Sequence, residues 1–111
     1  MKAQQIAKIS RSFELLGNPL RLRIFMTIVS QGCDCDIKQQ DGITGNCISG
    51  IMKELDLRQS TVSTYIKDLT AAGLVECQKR GRILYTRPSK AGLIQLKAFL
   101  DGVISQLRFQ V

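Results

Sequence analysis

The chain has 111 residues, sixteen basic against nine acidic side chains, four cysteines and no histidine. That length supports one domain with one modest core, and a formal charge of +7 suits a polyanionic partner. Without histidine there is no Ser–His or Cys–His catalytic pair and no Cys/His zinc finger. The remaining cysteines and carboxylates show no paired base, so an enzyme is not expected. No apolar run approaches the roughly 20 residues of a membrane span, and no signal-peptide core opens the chain; a cytoplasmic protein is the expectation.

Ile6, Ile9, Phe13 and Leu16 fall on one helical stripe and predict a helix over about 2–16, stopped by Gly17. Asn18 is a good N-cap and Pro19 fits the first helical position, so a second helix is expected over about 18–30. Leu20, Ile24, Phe25, Ile28 and Val29 would face inward. Residues 31–46 are polar, with Gly32, Gly42 and Gly45, and read as a long loop. Asn46 can cap a third helix over about 47–56, buried through Ile48, Ile51, Met52 and Leu55. A fourth helix is expected over about 59–72, with Val62, Tyr65, Ile66 and Leu69 inward and a left-handed cap at Gly73. Two strands, 74–78 and 83–87, flank Lys79-Arg80-Gly81-Arg82. A last helix runs from Pro88-Ser89 to about 108.

The whole chain, 1–111, is thus one mainly helical domain with a small β-hairpin. A helix-turn-helix lies over 47–72, and a basic wing over 74–87. Segment 58–90 carries seven bases against two acids, whereas 31–57 carries two bases against five acids, so the positive charge sits on the helix-hairpin unit. Such a unit can lay a polar helix face in a DNA major groove and a charged hairpin on the backbone beside it. The candidate DNA contacts are Gln59, Ser60, Thr61, Ser63, Thr64 and Lys67 on the helix, with Lys79, Arg80 and Arg82 on the wing. Short hydroxyl and amide side chains reach base edges or phosphates, while lysine and arginine neutralise phosphate. A solvated polar face and a charged turn are the plain alternatives. The terminal helices, 1–16 and 89–108, carry narrow apolar seams (Leu93, Leu96, Leu100, Val103 and Leu107 on the last). Their near 3.5-residue period suits pairing across a homodimer; covering the domain's own core is the other reading.

Leu16-Gly17-Asn18-Pro19-Leu20-Arg21-Leu22-Arg23-Ile24, Leu57-Arg58-Gln59-Ser60-Thr61-Val62-Ser63, Leu69 and Ala72-Gly73-Leu74-Val75 together resemble the ArsR/SmtB (arsenic-repressor) family of winged helix-turn-helix regulators, over roughly residues 10–100. The resemblance implies a homodimer joined by first and last helices. It also implies a repressor of double-stranded DNA that leaves an imperfect palindrome when a metal, metalloid or thiol-reactive signal binds. Three departures stand out: Arg58 where the family often has Ser, Thr64-Tyr65 where it often has His, and a longer loop before the third helix.

Cys33, Cys35 and Cys47 fall within fifteen residues. In the family the third helix often begins with a metal-binding Cys-x-Cys pair. Here Cys47 stands at its first position and Ser49 at its second. The three sulfurs form a candidate site for trivalent arsenic or antimony, by the resemblance, or for zinc or cadmium, which soft thiolates favour. No cofactor is obligatory. A thiol at a helix start has its pKa lowered by the dipole, whereas Asp34 and Asp36 oppose this for their neighbours. A redox- or sulfur-sensing switch on the same thiols is an alternative, and a small protein-interaction module without specific DNA binding is another. Cys77 alternates with Glu76, shares a face with Val75, and reads as a small core hydrophobe.

Overall fold

Asn18 begins the body of the domain as its sequence position requires. Its Oδ1 accepts the backbone N–H groups of Leu20 at 3.0 Å and Arg21 at 3.1 Å, satisfying two of the donors a helix start leaves open. The computed structural model describes residues 1–38, 47–80 and 83–107, with backbone alone at 31–38, 47, 49, 80 and 83. Within it the order is α1 (Ala3–Leu16), α2 (Pro19–Lys38), α3 (Cys47–Leu55), α4 (Gln59–Ala71), β1 (Val75–Arg80), β2 (Ile83–Pro88) and α5 (Lys90–Gln106). The strands pair antiparallel, from Val75 opposite Pro88 to Arg80 opposite Ile83.

One boundary departs from expectation. α2 runs to Lys38, so residues 31–38 are helical rather than part of a loop. Gly32 is the only strong breaker there, and a single glycine costs a helix about 1 kcal/mol, too little to end it. Residues 39–46, the rest of the expected loop, lie outside the described residues.

The core joins Leu15 of α1, Ile24, Phe25 and Ile28 of α2, Ile51 of α3, Val62, Ile66 and Leu69 of α4, then Leu74, Val75 and Leu96. Burying each such side chain fully is worth about 1.5–3 kcal/mol. Leu15, off the stripe read from sequence, is the buried apolar residue of α1, while Ile6 is 54% and Phe13 41% exposed. α1 therefore has two apolar sides, one inward and one facing out. α5 behaves alike: Leu96 is buried, whereas Ile94, Leu100, Val103, Ile104 and Leu107 are exposed. Phe13 and Phe99 meet edge to face, centroids 5.9 Å apart, and tie the two terminal helices together.

α4 ends in a Schellman turn. Leu74 N–H donates to Leu69 O at 2.9 Å and Gly73 N–H to Thr70 O at 3.0 Å, with Gly73 at φ 81°. The wing is locked to this turn by Ser89 N–H donating to Leu74 O at 2.9 Å. Ser89 then caps α5, accepting Gly92 N–H at 3.2 Å. α5 starts so close to the turn that a Cβ on Gly92 would lie 2.0 Å from Gly73 O, whereas one on Gly73 would meet nothing within 4 Å.

These two glycines make a ranked prediction. Gly73→Ala meets only backbone strain and should cost about 1–2 kcal/mol. Gly92→Ala must push a backbone carbonyl aside and should cost about 3 kcal/mol or more. Thermal denaturation at one protein concentration checks the order; Gly73→Ala as the more damaging change would contradict the junction described.

Candidate nucleic-acid interface

The turn between α3 and α4 is made by Asp56, at φ 55°. Aspartate tolerates the left-handed region better than most residues. Leu57 N–H then donates back to Met52 O at 3.0 Å, reversing the chain in three residues. Arg58 is extended and offers α4 no side-chain cap. The first N–H groups of α4 thus have no side-chain acceptor from Arg58 and carry the positive end of the helix dipole, a setting that favours phosphate.

Once Val62, Ile66 and Leu69 are buried, the helical period decides the opposite face. Gln59, Ser60, Thr64 and Lys67 are exposed, and Thr61 and Ser63 are half-buried at its shoulders. The structure therefore brings the six expected helix residues onto the surface of one helix. Thr64 Oγ1 donates to Ser60 O at 2.8 Å, which leaves its lone pairs for an external donor. Tyr65 is half-buried and packs against the core.

On the wing, Lys79 is exposed. Arg80 lies on β1 by its backbone, its side chain outside the described residues, and Arg82 lies outside them altogether. Glu76 and Arg87, directly opposed in the register, form an exposed ion pair at 2.9 Å. This pair neutralises the root of the wing and leaves its positive charge toward the tip.

Cys77 is exposed, not a core residue. It does share Val75's face, but β1 is the outer strand: β2 packs on α2 and α3, and β1 meets α4. That face opens onto a groove of about 420 Å³, lined chiefly by Ile66, Thr70, Cys77 and Leu84. Cys77 Sγ is 3.3 Å from Thr70 Oγ1 there.

Cys33 and Cys35 sit on the last turns of α2 and Cys47 at the start of α3 by their backbones. Their side chains lie outside the described residues. Among the described residues no three Cys, Asp or Glu side chains gather as a metal site.

Arg21 escaped the sequence reading. It reaches from the first turn of α2 to α4, its guanidinium carbon 5.0 Å from the Tyr65 ring centroid and Nη2 3.7 Å from Asp68 Oδ2. The signal was present in retrospect: an aromatic and an acid three apart on α4 share a face and face a basic residue.

A family model for bacterial regulatory proteins of the arsR family matches residues 46–76, which span α3, α4 and the start of the wing. The uncharacterized HTH-type transcriptional regulator YbzH of Bacillus subtilis (strain 168) is 30% identical over 96 residues, which cover 83% of this chain and 94% of that protein. This chain belongs to the ArsR family. Its fold is also that of the ArsR-like transcriptional regulator from Rhodococcus sp. RHA1, with a TM-score of 0.74 at 18% identity, covering 97% of this chain and 90% of that one. The homodimeric winged helix-turn-helix DNA-binding domain Mb0332 from Mycobacterium bovis superposes with a TM-score of 0.58 at 22% identity, covering 95% and 85%. The ArsR-family chain is accordingly a DNA-binding transcriptional regulator, a class of regulatory proteins and not of enzymes. Among the described residues no helix is long and apolar enough to cross a membrane.

The position of Cys77 makes a chemical prediction. In the reduced native protein Cys77 should be alkylated by a maleimide without prior unfolding, as peptide mass mapping would show. Cys77→Ser should change stability by no more than about 0.5 kcal/mol, the usual range for surface substitutions. Protection of this thiol, or a loss of several kcal/mol, would put Cys77 back in the core.

Proposed function

We propose that this ArsR-family chain is a homodimeric repressor, inserting two α4 helices into successive major-groove turns of an imperfect palindrome and releasing it when a thiophilic signal binds Cys33, Cys35 and Cys47. The observation that carries the DNA reading is the polar outer face of α4, with its uncapped N-terminus, beside a basic wing. Gln59 and the helix start would hold a phosphate; Ser60, Thr61, Ser63, Thr64 and Lys67 would meet the groove. Lys79, Arg80 and Arg82 would grip the flanking backbone. A two-fold axis would place the recognition helices about 34–36 Å apart.

The dimer reading is supported by the outward apolar sides of α1 and α5, which a lone domain would leave in water. The monomer is elongated, 52 × 27 × 26 Å, and the Mycobacterium bovis neighbour is homodimeric. The sensing reading rests on three cysteines at the end of α2 and the start of α3 and on the metal-binding habit that the family resemblance implies there. Positions two apart on a helix do not share a face. Ligation by both Cys33 and Cys35 would therefore open the last turn of α2. α3 packs on α4, so a pull on Cys47 would tilt the recognition helix and spoil the two-site spacing. Trivalent arsenic or antimony, zinc and cadmium are the candidate inducers.

The test is fluorescence anisotropy with the fully reduced protein on the duplex it enriches from a random-sequence pool. Arsenite titrated into the complex should release the DNA stoichiometrically, and Cys47→Ser should abolish release while leaving binding intact. Release by Cys47→Ser at wild-type concentrations would overturn the arsenic site; release by an oxidant or polysulfide alone would assign the same thiols to redox or sulfur sensing. Lys79→Ala with Arg80→Ala should lower the slope of log affinity against log salt by roughly 2. An unchanged slope would remove the wing from the interface and favour a protein-interaction module.

A further inference from the structure

We propose that Arg21 is a positioning residue for sequence readout: it fixes the rotation of α4 about its own axis without touching DNA, and so sets which α4 side chains meet base edges. The proposal rests on the DNA-binding reading of α4 and adds to it a determinant on a different helix.

The core that α2 and α4 share holds Ile24 and Ile28 of one helix and Val62, Ile66 and Leu69 of the other. Apolar contacts hold helices together but are non-directional. They leave a helix with one greasy stripe some freedom to roll, and a roll moves Ser60, Thr64 and Lys67 together across the groove. Arg21 supplies a directional contact. Its backbone is anchored at the capped start of α2, Arg21 N–H donating to Asn18 Oδ1 at 3.1 Å. Its guanidinium lies over the Tyr65 ring at 5.0 Å, within cation–π range, and its Nη2 faces Asp68 Oδ2 at 3.7 Å. Tyr65 and Asp68 occupy one shoulder of α4. Ser63 and Thr70 occupy the other, at the groove beside the wing, where Thr70 Oγ1 meets Cys77 Sγ. The helix is held on both sides of its reading face.

Stability alone is a poor account of this arginine. Its Nε is buried with no hydrogen-bond partner among the described residues, which is costly. The side chains of the ion pair are only 24% and 32% exposed, so both ions are partly desolvated, and such pairs are often no more stable than apolar replacements. What an arginine adds over a leucine here is geometry: a planar cation that stacks on one ring and points at one carboxylate.

The experiment compares wild type, Arg21→Met, Tyr65→Phe and Tyr65→Leu on two duplexes, the one enriched by wild type from a random pool and an unrelated one, across a salt series. Arg21→Met should lose roughly tenfold in preference for the enriched duplex, the worth of one good base contact. Its affinity for the unrelated duplex and its salt slope should stay at wild-type values. Tyr65→Phe keeps the ring and should behave as wild type; Tyr65→Leu should match Arg21→Met, and the double variant should add little to either. Equal losses on both duplexes with a slope lower by about 1 would make Arg21 a phosphate contact and overturn the proposal. So would an unchanged preference, or a lower melting temperature with preference intact. Failure of the underlying reading shows separately: wild type itself would then enrich no sequence, and the proposal would fall with it.

Discussion

The burial of one stripe on α4, Val62, Ile66 and Leu69, is the constraint on which the rest of the structure depends. A helix with 3.6 residues per turn that commits this stripe to a core must turn Ser60, Thr64 and Lys67 outward. The polar face is therefore a consequence of the apolar one. The same burial fixes the exit from α4: Leu69, the last buried residue of the stripe, accepts the bond from Leu74 that closes the Schellman turn. Both leucines are in the core, so the hydrophobic contact that accompanies such turns is present. The wing springs from that turn, and Ser89 returns the chain to it through Leu74 O before α5 begins. α4, wing and last helix thus meet at one junction, where Gly73 supplies the left-handed turn and Gly92 leaves no room for a side chain against the Gly73 carbonyl.

This arrangement separates two surfaces. The α4–wing side is polar and basic; the outward sides of α1 and α5 are apolar, with Ile104 64% exposed. A chain of this size has a modest core, and α5 contributes to it through Leu96 and little else. The exposed apolar residues of that helix, Ile94, Leu100, Val103 and Ile104, gain burial only against another molecule. Under the proposed dimer, the surface that is left over from folding becomes the surface that sets the distance between two reading heads. The proposed sensing cysteines stand on α2 and α3, the helices that support α4 from behind.

Much of this was legible in the sequence because the local signals agreed with the global fold. Asn18-Pro19 marked a helix start that the two Asn18 Oδ1 bonds bear out. Gly73 marked a left-handed cap, and the basic run between two alternating segments marked a hairpin. Four things were not legible. The extension of α2 to Lys38 runs through polar residues and Gly32, where propensity is nearly neutral and tertiary context decides. The exposure of Cys77 depends on which strand of the wing is outermost, a fact of topology that alternation does not encode. Leu15 was hidden because α1 carries apolar residues on two sides, and a single-stripe reading selects only one. Arg21 depends on a contact between helices more than forty residues apart in sequence. Of the candidate α4 residues, Gln59, Ser60, Thr64 and Lys67 are exposed, while Thr61 and Ser63 are half-buried. The cysteine set was read as a group, and its backbone positions put two members on a helix instead of a loop.

The central claim is that two copies of α4, held by their cores and joined through the terminal helices, read one DNA site together. Sequencing the duplexes that the reduced protein enriches from a random pool tests it most directly. The account predicts an imperfect palindrome, its half-site centres one helical turn apart at about 10–10.5 base pairs, bound by two chains per duplex. A single unpaired half-site bound by one chain, or no enriched sequence at all, would contradict it.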